Sequence, residues 1–264
     1  MQRLNIDGQQ LEVRQITVSE TLAPIVFLHE GLGSISMWSQ RGQDWPLAVC
    51  NATGRAGIVY SRRGYGQSET APRRRDTSSP CRNVFTPDYM HREASDVLPA
   101  LLAELNIEQP VLLGHSDGAT IALLHTSQFP VTACIAMAPH VLLESVAVEA
   151  IGQAKMAFEF GDLRSRLSKF HADVDGAFWQ WNDVWLSKGF ASFDIRPECQ
   201  QITAPLLLLQ GLNVEYGTMR QLEAIAQAVP HAQQIRLADC GHSPHRDQPQ
   251  VCIKNITTFL ATLD

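Results

Sequence analysis

The sequence lacks the features that mark membrane proteins and nucleic-acid-binding proteins. No hydrophobic run approaches the roughly 20 residues that a membrane-spanning helix needs, and the residues after Met1 do not have the pattern of a signal peptide. The formal net charge is −6, from 21 Lys and Arg against 27 Asp and Glu, which disfavours nucleic acid and anionic membranes as partners. We therefore expect a cytoplasmic protein whose partner is a small-molecule substrate.

Cysteine is scarce and scattered. The six cysteines show no C-x-x-C spacing, which argues against a zinc site and, in a chain of 264 residues, against a disulfide framework. The sequence also has no internal repeats and no low-complexity tracts. A chain of this length can form one large domain or two small ones, with enough material to bury a core.

The stretch from Pro110 to His125 combines a short apolar run, a serine between glycines and a segment with apolar residues at helical spacing. The run is long enough for one buried strand and too short for a helix. The pentapeptide G-H-S-D-G at 114–118 therefore has the strand–turn–helix context that the G-x-S-x-G pattern requires. In so tight a turn the flanking residues must lack side chains, and the Ser116 hydroxyl is held out at the carboxyl edge of the sheet.

Strand-like and helix-like segments alternate along most of the chain. Residues 3–14 alternate apolar and polar side chains around Asp7-Gly8, which predicts an antiparallel hairpin. Short, largely apolar runs then predict strands at 24–28, 57–61, 110–113, 133–138 and 205–210, with helical segments between most of them. A further strand is predicted at 234–237. This alternation predicts an α/β fold with a doubly wound, mostly parallel sheet.

Residues 140–200 interrupt this alternation. They contain no strand-like run, only helical periodicity with clustered aromatic residues. We interpret the stretch as an inserted helical cap, or lid, over the active edge of the sheet; the alternative is an ordinary helical layer whose aromatic side chains only pack. The predicted organisation is a core of 1–139 and 201–264 with a cap at 140–200. Residues 70–86, which include Arg73-Arg74-Arg75, are predicted to form an exposed loop.

Four motifs occur in the order found in the α/β-hydrolase superfamily, which this sequence resembles. They are H-E-G-L-G at 29–33, R-G-Y-G-Q-S at 63–68, G-H-S-D-G at 114–118 and C-G-H at 240–242. The helical insertion also lies where that superfamily carries its cap. The resemblance covers essentially the whole chain, and it implies a capped hydrolase that acts on esters, thioesters or similar carbonyl compounds.

A serine hydroxyl needs a base within hydrogen-bond reach to become a nucleophile. The candidate is His242, after the last predicted strand; His245 is the second candidate, although its expected role is to shape the same loop. The tetrahedral oxyanion needs donors that are already in place. We expect these to be the backbone N–H groups of Asp117 and Gly31, with Leu32 as the next candidate after Gly31. This mechanism implies no metal and no organic cofactor.

The acid of the expected Ser-His-acid triad is missing from its usual place. The resemblance puts an Asp three residues beyond Gly211, where this chain has Val214, whose side chain cannot orient an imidazole. Three explanations remain open: Glu215 turns in from the next position, Glu144 supplies a carboxylate after the preceding strand, or the chain has no acid. Removing the acid from a serine protease costs about 10⁴ in rate, yet the remaining groups still outperform water.

The leading hypothesis is a serine hydrolase that forms an acyl-enzyme on Ser116. The aromatic cap favours a substrate with an apolar or aromatic portion, contacted by Leu32, Trp181 and Trp185. One alternative is a binding protein or ligand sensor that kept the pocket and lost the acid. Another is carbon–carbon bond hydrolysis or lyase chemistry on the same scaffold. The sequence leaves open whether the chain acts alone or as a homodimer.

Overall fold

The computed structural model describes residues 1–18, 21–40, 42–70 and 85–263, so the Arg73-Arg74-Arg75 triplet lies outside the described residues. An eight-stranded sheet forms the centre, and two short strands at 39–40 and 43–44 form a separate ladder. The strands of the large sheet are β1 Gln2–Ile6, β2 Gln9–Ile16, β3 Ile25–Leu28, β4 Gly57–Ser61, β5 Val111–His115, β6 Ala133–Met137, β7 Leu206–Gly211 and β8 Gln233–Leu237.

The order of the strands across the sheet is β1-β2-β4-β3-β5-β6-β7-β8. β1 and β2 form the antiparallel hairpin, and its two turn residues, Asp7 and Gly8, have positive φ values of 47° and 81°. A two-residue hairpin turn of this kind requires positive φ at both positions, which Asp and Gly adopt readily. β2 also pairs antiparallel with β4, and all the later pairings are parallel. The fold is therefore α/β with a mostly parallel sheet, as predicted.

Helices cover both faces of the sheet. They are α1 Trp45–Thr53, α2 Tyr89–Arg92, α3 Leu98–Glu104, α4 Asp117–Thr126, α5 Ser145–Phe160, α6 Leu163–Leu167, α7 Val174–Trp185, α8 Arg196–Cys199, α9 Arg220–Ala228, α10 Pro244–Asp247 and α11 Pro249–Leu260. A short π-helix at Glu93–Val97 joins α2 to α3, and short 3₁₀ helices lie at Ile35–Trp38 and Lys188–Phe190. Within the described ranges, no helix combines the length and the hydropathy needed to cross a bilayer.

The apolar side chains of the sheet are divided between two cores. In β3, Val26 and Leu28 pack in the core that includes α4, whereas Ile25 and Phe27 pack in the core that includes α1 and α11. All four side chains are fully buried. A strand enclosed on both faces has to be apolar at successive positions, which explains why continuous apolar runs mark these strands in the sequence.

Residues 140–200 contribute α5 to α8 and no strand of the large sheet. Leu142 and Asp194, near the two ends of this segment, form an isolated antiparallel bridge. The amide side chain of Gln221, on α9 of the core, accepts from the backbone N–H of Val141 at 2.8 Å and donates to the carbonyl of Leu142 at 3.0 Å. The start of this segment is therefore hydrogen-bonded to the core. That residues 140–200 form a separate cap stays a prediction.

Candidate active site

Ser116 lies in the sharp turn between β5 and α4. Its backbone has φ 53° and ψ −119°, a conformation that L residues rarely adopt and that marks a strained turn. Glycines on either side allow it: a Cβ on Gly114 would lie 2.2 Å from the carbonyl oxygen of Gly118, and a Cβ on Gly118 would lie 2.0 Å from that of Leu28. The tight turn holds Ser116 at the carboxyl edge of the sheet, as the G-x-S-x-G pattern predicts.

Ser116 and His242 are in contact although they are 126 residues apart in the chain. The Nε2 atom of His242 lies 2.9 Å from Oγ of Ser116, which is hydrogen-bond distance. His242 belongs to the loop between β8 and α10. Because the carboxyl ends of parallel strands meet at one edge of a sheet, β5 and β8 deliver the hydroxyl and the imidazole to the same place.

The two predicted oxyanion donors, Gly31 and Asp117, line a cavity in front of Ser116. Asp117 is the first residue of α4, and the first N–H groups of a helix have no carbonyl partner within it. Gly31 follows β3 and lies against the indole of Trp181, because a Cβ at Gly31 would be 2.2 Å from Nε1 of that ring. Both backbone groups therefore border the space that the Ser116 hydroxyl faces.

The side chain of Asp117, the residue after Ser116, is buried. Its carboxylate accepts a hydrogen bond from the hydroxyl of Tyr89, and that hydroxyl accepts one from Nε1 of Trp185 at 3.0 Å. Burial raises the pKa of Asp117, and the charge of Arg62 opposes this rise. The Asp117–Tyr89–Trp185 chain ties the start of α4 to the end of α7, so it steadies the backbone that carries one of the predicted donors.

Neither glutamate considered as the acid bonds the ring of His242. Oε2 of Glu215 accepts from the backbone N–H of His242 at 3.0 Å. Glu144 accepts from the backbone N–H and the hydroxyl of Thr218, at 3.0 and 2.7 Å, and from the Gln221 amide at 2.7 Å. Among the described residues, no group is hydrogen-bonded to the buried Nδ1 atom of His242. The expected contact of Glu215 or Glu144 with Nδ1 is thus not made: Glu215 bonds the backbone of His242, and Glu144 bonds Thr218 and Gln221.

The surroundings of His242 favour its neutral form. Burial lowers the pKa of His242 well below its ordinary value, and the neighbouring His115 and His140 lower it further. The ring centroids of His115, His140 and Tyr216 lie 5.2, 5.7 and 4.9 Å from that of His242. A neutral ring can accept a proton on Nε2, but the lowered pKa makes it a weaker base than an imidazole whose pKa lies near neutral pH.

A cluster of His115, Glu30 and Arg246, to which the sequence analysis assigns no role, adjoins His242. Nε2 of His115 donates to the backbone carbonyl of His242 at 2.7 Å, and Nδ1 of His115 lies 3.5 Å from Oε2 of Glu30. Arg246 bonds the other oxygen of Glu30. Burial raises the pKa of Glu30, but Arg246 and His115 outweigh it and hold that pKa well below its usual range. Two charged residues could have indicated this cluster from the sequence: Glu30 in the H-E-G-L-G motif and Arg246 shortly after C-G-H.

His245, the second candidate base, is not hydrogen-bonded to Ser116. Its ring packs among Trp38, Trp45 and His115, with centroid separations of 4.9, 5.4 and 4.7 Å. Neither ring nitrogen has a hydrogen-bond partner in the part of the chain that the structure describes. Burial lowers the pKa of His245 well below its ordinary value. Despite the number of histidines here, no group of three or more His, Cys, Asp or Glu among the described residues is arranged to hold a metal ion.

The cavity in front of Ser116 has a volume of about 190 Å³. The predicted substrate contacts Leu32, Trp181 and Trp185 all line it, together with the aliphatic side chain of Ile151 from α5. A more open groove of about 470 Å³ runs along α5 and shares lining residues with the cavity, namely Tyr216, His242 and Ser243. The groove therefore lies beside His242.

The chain is similar to known proteins over nearly its whole length. The model of the alpha/beta hydrolase family matches residues 25–254. The sn-1-specific diacylglycerol lipase ABHD11 of Mus musculus is 25% identical over 270 residues, which cover 91% of this chain and 82% of that protein.

Two solved structures show the same fold at low sequence identity. The enol-lactonase from Burkholderia xenovorans LB400 has 19% identity and a TM-score of 0.73, covering 98% of this chain and 99% of that one. The meta-cleavage product hydrolase from Pseudomonas fluorescens IP01 has 13% identity and a TM-score of 0.74, covering 100% and 98%. Identities this low show a shared fold and do not transfer a substrate.

Proposed function

The chain belongs to the alpha/beta hydrolase family, and we propose that within it the protein is a serine hydrolase that forms an acyl-enzyme on Ser116. The observation that carries this proposal is the 2.9 Å separation between Nε2 of His242 and Oγ of Ser116 at a strained turn. A free serine hydroxyl is a weak nucleophile, so acyl transfer needs a neutral imidazole in this position.

In the proposed reaction, His242 takes the proton of Ser116 as the hydroxyl attacks the substrate carbonyl. The carbonyl oxygen gains negative charge, which the backbone N–H groups of Asp117 and Gly31 and the positive end of α4 stabilise. The tetrahedral intermediate collapses, and the leaving group departs with the proton from His242. Water then gives a proton to His242 as it attacks the acyl-enzyme, and the acid is released with both side chains restored.

The proposed substrate is an ester, thioester or related carbonyl compound with an apolar or aromatic portion. Trp181, Trp185 and aliphatic side chains line the cavity of about 190 Å³, and apolar walls of this kind favour such a portion. In this proposal, residues 140–200 act as the cap that covers the bound substrate. The relatives are named for a lipase and a lactonase activity, which supports a carbonyl-directed reaction without selecting one substrate.

A second function, binding without turnover, is favoured by the lack of an acid beside the His242 ring. Its Nδ1 atom has no carboxylate partner among the described residues. Because removal of the acid costs a serine protease about 10⁴ in rate, a chain without one could retain the cavity and lose useful turnover. It would then act as a binding protein or sensor for the same class of carbonyl compound.

Covalent labelling distinguishes the two functions. A serine hydrolase should take up one fluorophosphonate per chain, located by peptide mass spectrometry at Ser116, and should release p-nitrophenol steadily from p-nitrophenyl acetate. Ser116→Ala should abolish both reactions, whereas Ser127→Ala, at the far end of α4, should preserve them. Saturable binding of the ester without labelling or turnover would contradict the hydrolase proposal and identify a binding protein.

A further inference from the structure

Besides the hydrogen bond between its ring and Ser116, His242 makes two hydrogen bonds through its backbone. The backbone N–H donates to Oε2 of Glu215 at 3.0 Å, and the backbone carbonyl accepts from Nε2 of His115 at 2.7 Å. In a complete triad the acid would orient the imidazole through Nδ1. Here that atom has no hydrogen-bond partner among the described residues, so the backbone bonds take on part of the orienting role that an acid would have.

His115 is suited to this task by its place in the chain. It is the last residue of β5 and directly precedes Ser116, so its bond to His242 ties the base to the turn that carries the nucleophile. The side chain is 1% exposed, and its ring lies between those of His242 and His245, with centroids 5.2 and 4.7 Å away. Packing on two sides leaves the ring little room to rotate.

The direction of the His115 hydrogen bond is set by its partner. A carbonyl oxygen can only accept, so Nε2 of His115 must carry a proton. Nδ1 of His115 faces Oε2 of Glu30 at 3.5 Å, and Arg246 holds the other oxygen of Glu30. Arg246 lies in α10, four residues after His242, and bonds the Glu30 carboxylate that faces His115.

We propose that His115 is a positioning residue for His242: its Nε2–H holds the His242 carbonyl so that the imidazole stays within hydrogen-bond reach of Ser116, while Glu215 holds the backbone N–H of the same residue. This inference rests on the proposed function, because positioning matters only if His242 acts on Ser116. Small displacements of a reacting group can cost up to about 100-fold in rate. Loss of the His115 donor should therefore slow acylation by about 10- to 100-fold.

The test compares His115→Leu with His115→Gln. The amide nitrogen of glutamine extends about as far from the backbone as Nε2 of histidine and can donate to the same carbonyl, whereas leucine fills the space without a donor. His125→Leu is the matched control, because His125 is also buried and its ring also bonds a backbone carbonyl, that of Ala94 at 2.8 Å. The readout is the rate of fluorophosphonate labelling of Ser116, measured over a range of probe concentrations to obtain the maximal rate. The unfolding midpoint of each variant is measured as well, to compare their stability.

The expected result is a maximal labelling rate that falls about 10- to 100-fold in His115→Leu, is largely restored in His115→Gln and is unchanged in His125→Leu. An unchanged rate in His115→Leu would overturn the proposal, as would an equal loss in both His115 variants. If His115→Leu does not fold, Glu215→Leu replaces it, because Glu215 is exposed and its substitution removes the other backbone hydrogen bond of His242. Labelling of Glu215→Leu at the parental rate would then overturn the proposal.

A second readout separates this inference from the proposed function. If the parent protein does not react with the fluorophosphonate, the hydrolase proposal fails. The ¹⁵N chemical shifts of the His242 ring are then measured instead of labelling, and His242→Ala serves to assign them. A change of these shifts in His115→Leu but not in His125→Leu would support positioning of the ring by His115. Identical shifts in the parent and in His115→Leu would overturn it.

Discussion

Replacement of Val214 with aspartate should turn the serine–histidine pair into a complete triad. Residue 214 lies between Asn213, whose N–H donates to the carbonyl of Cys240 at 3.0 Å, and Glu215, whose carboxylate accepts from the backbone of His242 at 3.0 Å. These two bonds hold the loop after β7 along the loop that carries the base. We therefore expect a carboxylate at position 214 to reach Nδ1 of His242, which has no partner among the described residues.

The size of the effect follows from the tautomer of His242. For Nε2 to accept the Ser116 proton, the neutral ring must carry its own proton on Nδ1, and a buried N–H without an acceptor costs about 1–3 kcal/mol. Because about 1.4 kcal/mol corresponds to a tenfold change in an equilibrium constant, this cost lowers the population of the productive tautomer by about 5- to 150-fold. A carboxylate removes the cost and also stabilises the imidazolium, and the whole contribution of the acid in a serine protease is about 10⁴. Val214→Asp should thus raise the acylation rate by about 10²- to 10⁴-fold.

The same substitution should move the acidic limb of the pH profile to higher pH. Burial and the nearby His115 and His140 lower the pKa of His242 well below 6.5, so the base stays neutral and the rate stays constant to well below that pH. A carboxylate beside Nδ1 favours the imidazolium and raises this pKa. The rate of Val214→Asp should therefore begin to fall at a higher pH than the rate of the parent as acid is added.

The assay is the rate of fluorophosphonate labelling together with kcat/KM for p-nitrophenyl acetate, both measured as a function of pH. Val214→Ala controls for the loss of the valine, and Val214→Asn provides an acceptor oxygen without charge. The expected order of rates is Asp above Asn, with Ala at the parental level. A Val214→Asp protein that is no faster than Val214→Ala and has the same acidic limb would refute the reasoning that a missing acid limits this site.

Three further substitutions test other parts of the site and the fold. Trp181→Ala should raise KM more for an ester with an aromatic acyl group than for an acetyl ester, because the indole lines the cavity; equal changes would contradict its substrate role. Gly118→Ala should lower the free energy of unfolding in urea by about 1–3 kcal/mol, the usual cost of overpacking, and an unchanged midpoint would contradict it. The physical reason is that the new Cβ would lie 2.0 Å from the carbonyl of Leu28. Glu144→Gln should lower the free energy of unfolding at neutral pH but not in acid. Burial raises the pKa of Glu144, but hydrogen bonds, those from Thr218 first, outweigh it and bring the pKa below 4.5. The contribution of the carboxylate is therefore present above pH 4.5 and lost as the pH falls through the lowered pKa, and a difference between parent and variant that persists in acid would contradict this account.

The parts of the fold that could be predicted are those whose signals are local. The Asp7-Gly8 pair marks a turn because both residues adopt positive φ, and the hairpin forms around it. The apolar run that becomes β3 is buried on both faces, so its composition alone identifies it as a central strand. The turn at Ser116 is predictable because only glycines fit at 114 and 118. In each case, a few neighbouring residues contain the whole physical requirement.

The contacts of His242 and of the two candidate glutamates could not be predicted, because they join residues that are distant in the chain. His115 reaches the carbonyl of His242 across 127 positions, and Glu144 reaches the Thr218 hydroxyl across 74. Glu215 is difficult for a different reason. It stands next to Val214, which occupies the usual position of the acid, and adjacent side chains point in different directions. The Glu215 carboxylate therefore bonds the backbone of His242 and not its ring. No spacing in the sequence encodes such directions, which are set only when the loops pack together.

The measurement that tests the central claim most directly is the labelling rate of Ser116 in His242→Ala. If the imidazole accepts the serine proton, its removal should lower the rate constant for fluorophosphonate labelling by about 10²- to 10⁴-fold, the usual contribution of a general base. His245→Ala, which removes the neighbouring ring that makes no bond to Ser116, should cost much less. Equal labelling of Ser116 in the parent and in His242→Ala would contradict the claim that these two side chains act together.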